Sequence, residues 1–226
     1  MNFFRKKLIV YYNDNIIGKE DAKGIFKKIP NNLPKYFFSI PKTMFSAQTK
    51  KSIPYSRTIK TCSGFINLYK RSLLITSPFD IYVELDNTKI IDSKFGRIND
   101  EFIQIHHGHQ LLDYVPNNKK YKFIIKINLP FTIDTNVSMY MSQSIYHFNN
   151  FDILPGILPS NYKNYINFFI PVEKEKNEIY IKKGTPLFMF TPLCETEVKL
   201  EFKKLKKNMR DYLTFSSLKE FVLKNL

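Results

Sequence analysis

The stretch IYIKKGTPLFMFTP, residues 179–192, decides how this chain is read. An extended segment runs into Lys182-Lys183-Gly184. Thr185-Pro186 then leads into the apolar run Leu187-Phe188-Met189-Phe190, which stops at Pro192. The pattern is that of two strands joined through a glycine, in a chain that has only seven glycines. Gly184 is expected to let the backbone take a positive φ between the strands. Pro186, which has no amide to donate, suits the first residue of a strand or an edge. Thr185 is placed to satisfy a local backbone group. A second reading stays open, in which Lys183 and the amides following Gly184 hold an anion, as oriented backbone amides do.

Working outward, the residues on either side repeat the strand signal. Phe79, Ile81, Val83 and Leu85 alternate with polar neighbours, the mark of a half-buried strand, and Asp86-Asn87 supplies turn chemistry. A segment around Phe65 to Tyr69 and the apolar run Leu73 to Ile75 precede them. YKFIIKINLPFTI, SMYMSQSIYHF and NYINFFIPV are further strands, with a charged hairpin tip expected between Glu173 and Glu178. The first strand is expected over Phe3 to Tyr12, followed by a polar turn region from Gly18 to Gly24. Residues 30–56 carry Pro30, Pro34, Pro41 and Pro54, which break helices and deny a central strand its amides. That stretch reads as irregular, an extended arm or a loop packed by its aromatics, with Lys50 and Lys51 exposed.

The C-terminal residues have helical spacing. Phe202, Leu205, Met209, Tyr212 and Leu213 fall on one face and Lys203, Lys206, Lys207 and Arg210 on the other, with a capping box from Ser217 to Glu220. The expected organisation is an N-terminal strand and arm over 1–56, a β core over 57–199 and a helical tail over 200–226. The fold class is mainly β, a sandwich or barrel closed by one or two C-terminal helices.

Composition agrees with that class. Of 226 residues, 43% are hydrophobic and 15% aromatic, with 21 Phe and 14 Tyr, residue types that favour pleated, half-buried surfaces over disorder. Lys and Arg outnumber Asp and Glu by 35 to 20, a formal charge of +15. Such a field draws nucleic acid, an anionic surface or an acidic partner, although a chain rich in Lys, Asn, Ile, Tyr and Phe acquires it from composition alone. Cys62 and Cys194 form neither a metal motif nor a disulfide framework, so a reducing compartment is expected. The apolar run Leu8 to Tyr12 is too short for a signal-peptide core, and no 18 apolar residues stand together, so neither export nor a membrane partner is expected.

Two resemblances attach to these motifs. Gly156-Ile157-Leu158-Pro159-Ser160-Asn161-Tyr162, the strand Phe168-Phe169-Ile170-Pro171 and Ile181-x-x-Gly184 resemble, in order and spacing, the closing segments of deoxyuridine-triphosphatase-like (dUTPase-like) barrels. The resemblance implies a barrel or jelly-roll fold. It does not extend to the reaction, because Pro159 stands where that class places an acidic residue and no glycine-rich tail follows Leu193. Over residues 57–195 the chain also resembles an uncharacterised family found mainly in tailed bacteriophages. The matching residues are Lys60-Thr61-Cys62-Ser63, His106-His107-Gly108-His109-Gln110, Asn128-Leu129-Pro130-Phe131 and Lys183-Gly184-Thr185-Pro186. Ser63, Gly108 and Phe131 replace the family's Pro, Pro and Trp.

The candidate ligand-binding residues are therefore His106, His107, His109, Lys183, Gly184 and Thr185. On a strand His107 and His109 would share one face and His106 the other, a pair that with Asp113 could hold a metal, while Gly108 between them fits a loop or bulge equally well. No carboxylate has metal-ligand spacing, and hydrogen bonding at a barrel mouth is the favoured role. Lys203, Lys206, Lys207 and Arg210 are candidate contacts to nucleic acid or another anion, or equally a solvated helix face. A lone Cys62 reads as a small buried hydrophobe rather than a nucleophile. No cofactor is expected. The functional expectation is a phage-encoded, non-catalytic binding protein, self-associating or engaging a protein partner, in the host cytoplasm or in the virion. The rivals are a nucleotide- or small-ligand-processing enzyme using the His106, His107 and Gly184 region, and a non-specific nucleic-acid-binding protein.

Overall fold

A computed structural model describes residues 6–45, 55–86, 90–95, 102–106, 121–144, 147, 149–195 and 197–206. In chain order the strands of the first half are β1 (Lys7–Tyr12), β2 (Phe26–Lys28), β3 (Thr43–Phe45), β4 (Tyr55–Arg57), β5 (Leu73–Thr76), β6 (Ile81–Leu85), β7 (Ile90–Phe95) and β8 (Ile103–His106). The second half supplies β9 (Tyr121–Thr135), β10 (Met139–Gln143), β11 (Gly156–Leu158), β12 (Lys163–Glu173), β13 (Glu178–Ile181), β14 (Pro186–Pro192) and β15 (Lys199–Lys204). Helices α1 (Lys19–Ile25), α2 (Lys35–Ser39) and α3 (Ser63–Arg71) are short. The protein is mainly β, with several sheets in an arrangement compatible with a sandwich.

The first sheet is built on β9, whose alternation puts Phe123, Ile125, Ile127, Leu129, Phe131 and Ile133 into the core. β12 pairs with it along one edge; β8 and β1 share the other, and β15 lies beyond β1. The second sheet runs β11-β10-β14-β5-β2 and the small third sheet β13-β6-β7, all antiparallel. One apolar cluster joins the inner faces of all three. Phe168 and Phe188 meet at 5.5 Å between ring centroids, and Phe26 sits edge-on to both Phe131 and Phe202, at 5.3 and 5.9 Å. Met189 and Leu74, on the opposite face of the second sheet, are covered by Tyr69 of α3, Ile29, and Leu33 and Phe37 of the arm.

Several expectations change. Residues 200–204, read as the start of a helix, instead form β15 together with Lys199, parallel to β1 with Leu200 opposite Leu8 and Phe202 opposite Val10. Leu200 and Phe202, two apart, turn to the core, and the partner strand supplies the hydrogen bonds a helix would have drawn from its own backbone. Leu205 and Lys206 follow β15, and the expected tail from residue 207 on, with Ser217, lies outside the described residues. Residues 19–25, read within a polar turn, form α1, because Ala22 and Ile25 can both be buried on one side of two turns. The arm is not uniformly extended. Pro34 opens the one-turn helix α2, which ends just before Pro41, and β3 pairs with β4. Lys50 and Lys51 lie outside the described residues. Glu173 to Glu178 is not a hairpin tip, since β12 belongs to the first sheet and β13 to the third; a Lys176 N–H to Glu173 carbonyl bond of 3.1 Å tightens the turn between them.

Candidate interaction surface

The Lys-Gly-Thr-Pro stretch forms a corner. β5 pairs with β14 in the second sheet and β6 with β13 in the third, so two antiparallel partners leave one sheet together and enter another. Ser77 to Asp80 turns one partner and Lys182 to Thr185 the other, as happens where strands switch between packed sheets. Gly184 takes φ +84°, as expected of a glycine at the third position of a tight turn closed by the Thr185 N–H on the Lys182 carbonyl, 3.0 Å. Pro186 is the first residue of β14. The Gly184 N–H donates to the Ser77 carbonyl and the Ser77 N–H to the Thr185 carbonyl, each 2.8 Å, while the Lys183 N–H donates to Asp80 Oδ1 at 2.7 Å. All three amides from Lys183 to Thr185 are thus engaged within the protein. An outside anion would therefore have side chains rather than these amides to meet, and the local bonding expected of Thr185 is done by its backbone.

The other sequence candidates do not converge on this corner. The His106 backbone pairs with Ile124 at the end of β8 in the first sheet, a different sheet from either that the corner joins. His107, His109 and Asp113 lie outside the described residues, and among the described residues no group of three metal-ligating side chains is assembled. Lys203 is on a strand rather than a helix face. It shares Glu201 with Lys199, at 3.6 and 2.9 Å, and these two cations hold the carboxyl below the usual range. Lys206 is exposed just beyond β15; Lys207 and Arg210 lie outside the described residues. Cys62, expected to be buried, is exposed at the start of α3, where Phe65 and Leu68 rather than the thiol face the covered side.

A surface that sequence reading did not anticipate lies on the outer face of the third sheet. Ile81, Val83, Leu85, Ile179 and Ile181 point inward, which turns the intervening residues to solvent. The register sets Glu178 opposite Glu84 and Glu84 opposite Asp92, so three carboxylates stand in line across three strands. The next row is Tyr180, Tyr82 and Lys94, with Tyr180 54% exposed. Like charges directly opposite one another destabilise a sheet. Among the described residues the internal relief across these rows is slight: Lys94 is 3.6 Å from Asp92, and the Tyr82 hydroxyl donates to Glu84 Oε2 over a long 3.4 Å. Desolvation, followed by the charge of Glu84 and of Glu178, pushes the Tyr82 phenol up. Folding alone gives no reason for this concentration of negative charge beside aromatic rings in a chain of formal charge +15.

Elsewhere, His147 is tethered to Ser144 by a 2.7 Å bond between Nδ1 and Oγ and also hydrogen-bonds the Asn32 backbone. Burial pulls the ring's pKa down against that bond. Ser144 is 3% exposed, so the pair fastens a turn to the arm rather than presenting a nucleophile. Comparison with protein-family models, with curated proteins and with solved structures finds no match to this chain.

Proposed function

We propose that this chain is a non-catalytic interaction protein that binds a second copy of itself through the outer face of its small sheet. The observation carrying the reading is the register that aligns Glu178, Glu84 and Asp92 beside Tyr180 and Tyr82. Carboxylates next to exposed tyrosine rings are suited to Lys and Arg side chains, which gain both charge pairing and cation–π contact. The chain's own positive surface is the complementary partner at hand. A contact between two different patches is heterologous and closes into a ring or extends as a filament. Within this reading the resemblance to the tailed-phage family supplies the setting, a phage-encoded oligomeric or virion-associated component made in the host cytoplasm. The fold is a sandwich of the dUTPase-like or jelly-roll kind that has not kept that enzyme's reaction.

Size-exclusion chromatography with light scattering tests it. Wild-type protein at high concentration and low ionic strength is expected to run as an oligomer that dissociates as salt is raised, because exposed charge pairs are screened beyond about 10 Å at 0.1 M. A variant carrying Glu84→Gln, Glu178→Gln and Tyr180→Ser is expected to run as a monomer with an unchanged circular dichroism spectrum. A monomeric wild type, or a variant that assembles as well as the wild type, overturns the proposal.

A further inference from the structure

A second site, separate from the sheet face, lies where the end of α3, the start of β5 and the end of β14 meet Glu195, Glu197 and Val198. There a cleft of about 340 Å³ opens to solvent. Lys28, Lys70 and Arg71 line it together with two carboxylates, Glu195 and Glu197, so the three cations exceed the acidic groups by one. Lys28 is engaged by Glu197 at 3.0 Å, an exposed pair of the kind that contributes little to stability. Arg71 has five N–H donors and gives one long bond, 3.4 Å, to the Pro192 carbonyl. Lys70 has neither a hydrogen bond nor an ion pair among the described residues.

The negative end of α3 does not cancel this charge. Its Leu68 and Tyr69 carbonyls already accept from the Ser72 N–H, and the Ser72 hydroxyl also donates to Leu68. That hydroxyl proton being committed, Thr191 must donate the 2.7 Å bond to Ser72 Oγ, so the polar pair beneath the cleft is satisfied and rigid. Leu73, Pro192 and Val198 add apolar wall.

We propose that this cleft binds a small organic phosphomonoester, with the phosphate held by Arg71 and Lys70 and the organic group lying on Pro192 and Val198. A dianionic phosphate matches a guanidinium fork with an ammonium beside it better than a single carboxylate does. Glu197 acts as the internal competitor. It occupies Lys28 in the free protein, and an arriving phosphate takes that cation over.

Calorimetric titration of the full chain with phenyl phosphate and, separately, with inorganic phosphate tests the assignment at low ionic strength. Phenyl phosphate is expected to saturate one site with a Kd on the order of 1 mM or tighter, and inorganic phosphate to bind several-fold more weakly for want of the apolar contact. Arg71→Gln combined with Lys70→Gln should weaken binding by at least about tenfold, the loss of one charge-assisted contact. Glu197→Gln should strengthen it by removing the competitor, a gain that a purely structural role for these residues does not produce. All three side chains are exposed, so melting temperatures serve as a check that the variants fold. Absence of saturable binding, unchanged affinity in the double variant, weaker binding in Glu197→Gln, or equal affinity for the two phosphates each overturns the proposal.

Discussion

Two glycines with equally open surroundings should respond to the same substitution in opposite directions. A Cβ built on Gly24 or on Gly184 meets no atom within 4 Å, so neither change creates a clash. Gly24 lies inside α1 and Gly184 has φ +84°. Gly24→Ala removes only unfolded-chain entropy at a helical position and should stabilise by about 0.5–1 kcal/mol. Gly184→Ala forces a side chain into the left-handed region and should cost about 1–2 kcal/mol. For a chain of 150–250 residues each kcal/mol moves the melting temperature by about 2–4 °C, so Gly24→Ala should melt about 1–4 °C higher and Gly184→Ala about 2–8 °C lower. Gly184→Asn should recover part of the loss, since Asn tolerates positive φ through local hydrogen bonding. Differential scanning calorimetry of the three variants, with urea midpoints as a second measure, decides the matter. Shifts of the same sign and size at both glycines would refute the argument, because they would show that something other than backbone conformation governs the corner.

Phe131→Ala should cost about 3–5 kcal/mol, because the ring is fully buried against Phe26 and its loss leaves a cavity between two sheets; chemical denaturation measures it. Burial lowers the His147 pKa beneath its ordinary 6.5, so the folded state binds that proton less readily than the unfolded chain does. The associated stability is complete above about pH 6.5, begins to fall below that value, and is lost as the pH passes through the lower folded-state pKa. His147→Gln should flatten this part of the stability–pH profile, and a profile with the same slope in both proteins would remove His147 as its source.

The parts of the fold legible in the sequence are those set by neighbouring residues. Ile81, Val83 and Leu85 declare their strand by alternation, and Gly184 and Pro186 declare a turn and a strand start by their own stereochemistry. Partner choice is different. Nothing local says that β13 and β14 lie in different sheets, or that β12 does not pair with β13. Phe202 and Leu205, three apart, give β15 a helical signature, while the competing two-residue spacing of Leu200 and Phe202 gains its meaning only beside β1. α1 leaves little trace in the sequence because seven residues with only Ala22 and Ile25 buried carry little periodicity. The carboxylate row could not be seen at all, since Glu84, Asp92 and Glu178 become neighbours only through the register of three strands. The cationic cleft likewise joins Lys28 to Arg71 and Glu197 across distant segments.

The placement of β1 between β9 and β15 has a consequence for biosynthesis. KLIVYY is made early, yet its antiparallel partner begins at residue 131 and its parallel partner at residue 199. At ribosomal speeds of 5–20 residues per second, the second partner follows about 10–40 s later. Until residues 131–135 are made this β-prone, largely apolar hexamer has two unsatisfied edges, and one edge stays open until residue 199 follows. Such a composition nucleates cross-strand aggregates. Its safekeeping on the nascent chain falls to the flanking lysines, to chaperones, or to rapid completion of the remaining sheets, and refolding from denaturant removes the temporal order but not the hazard.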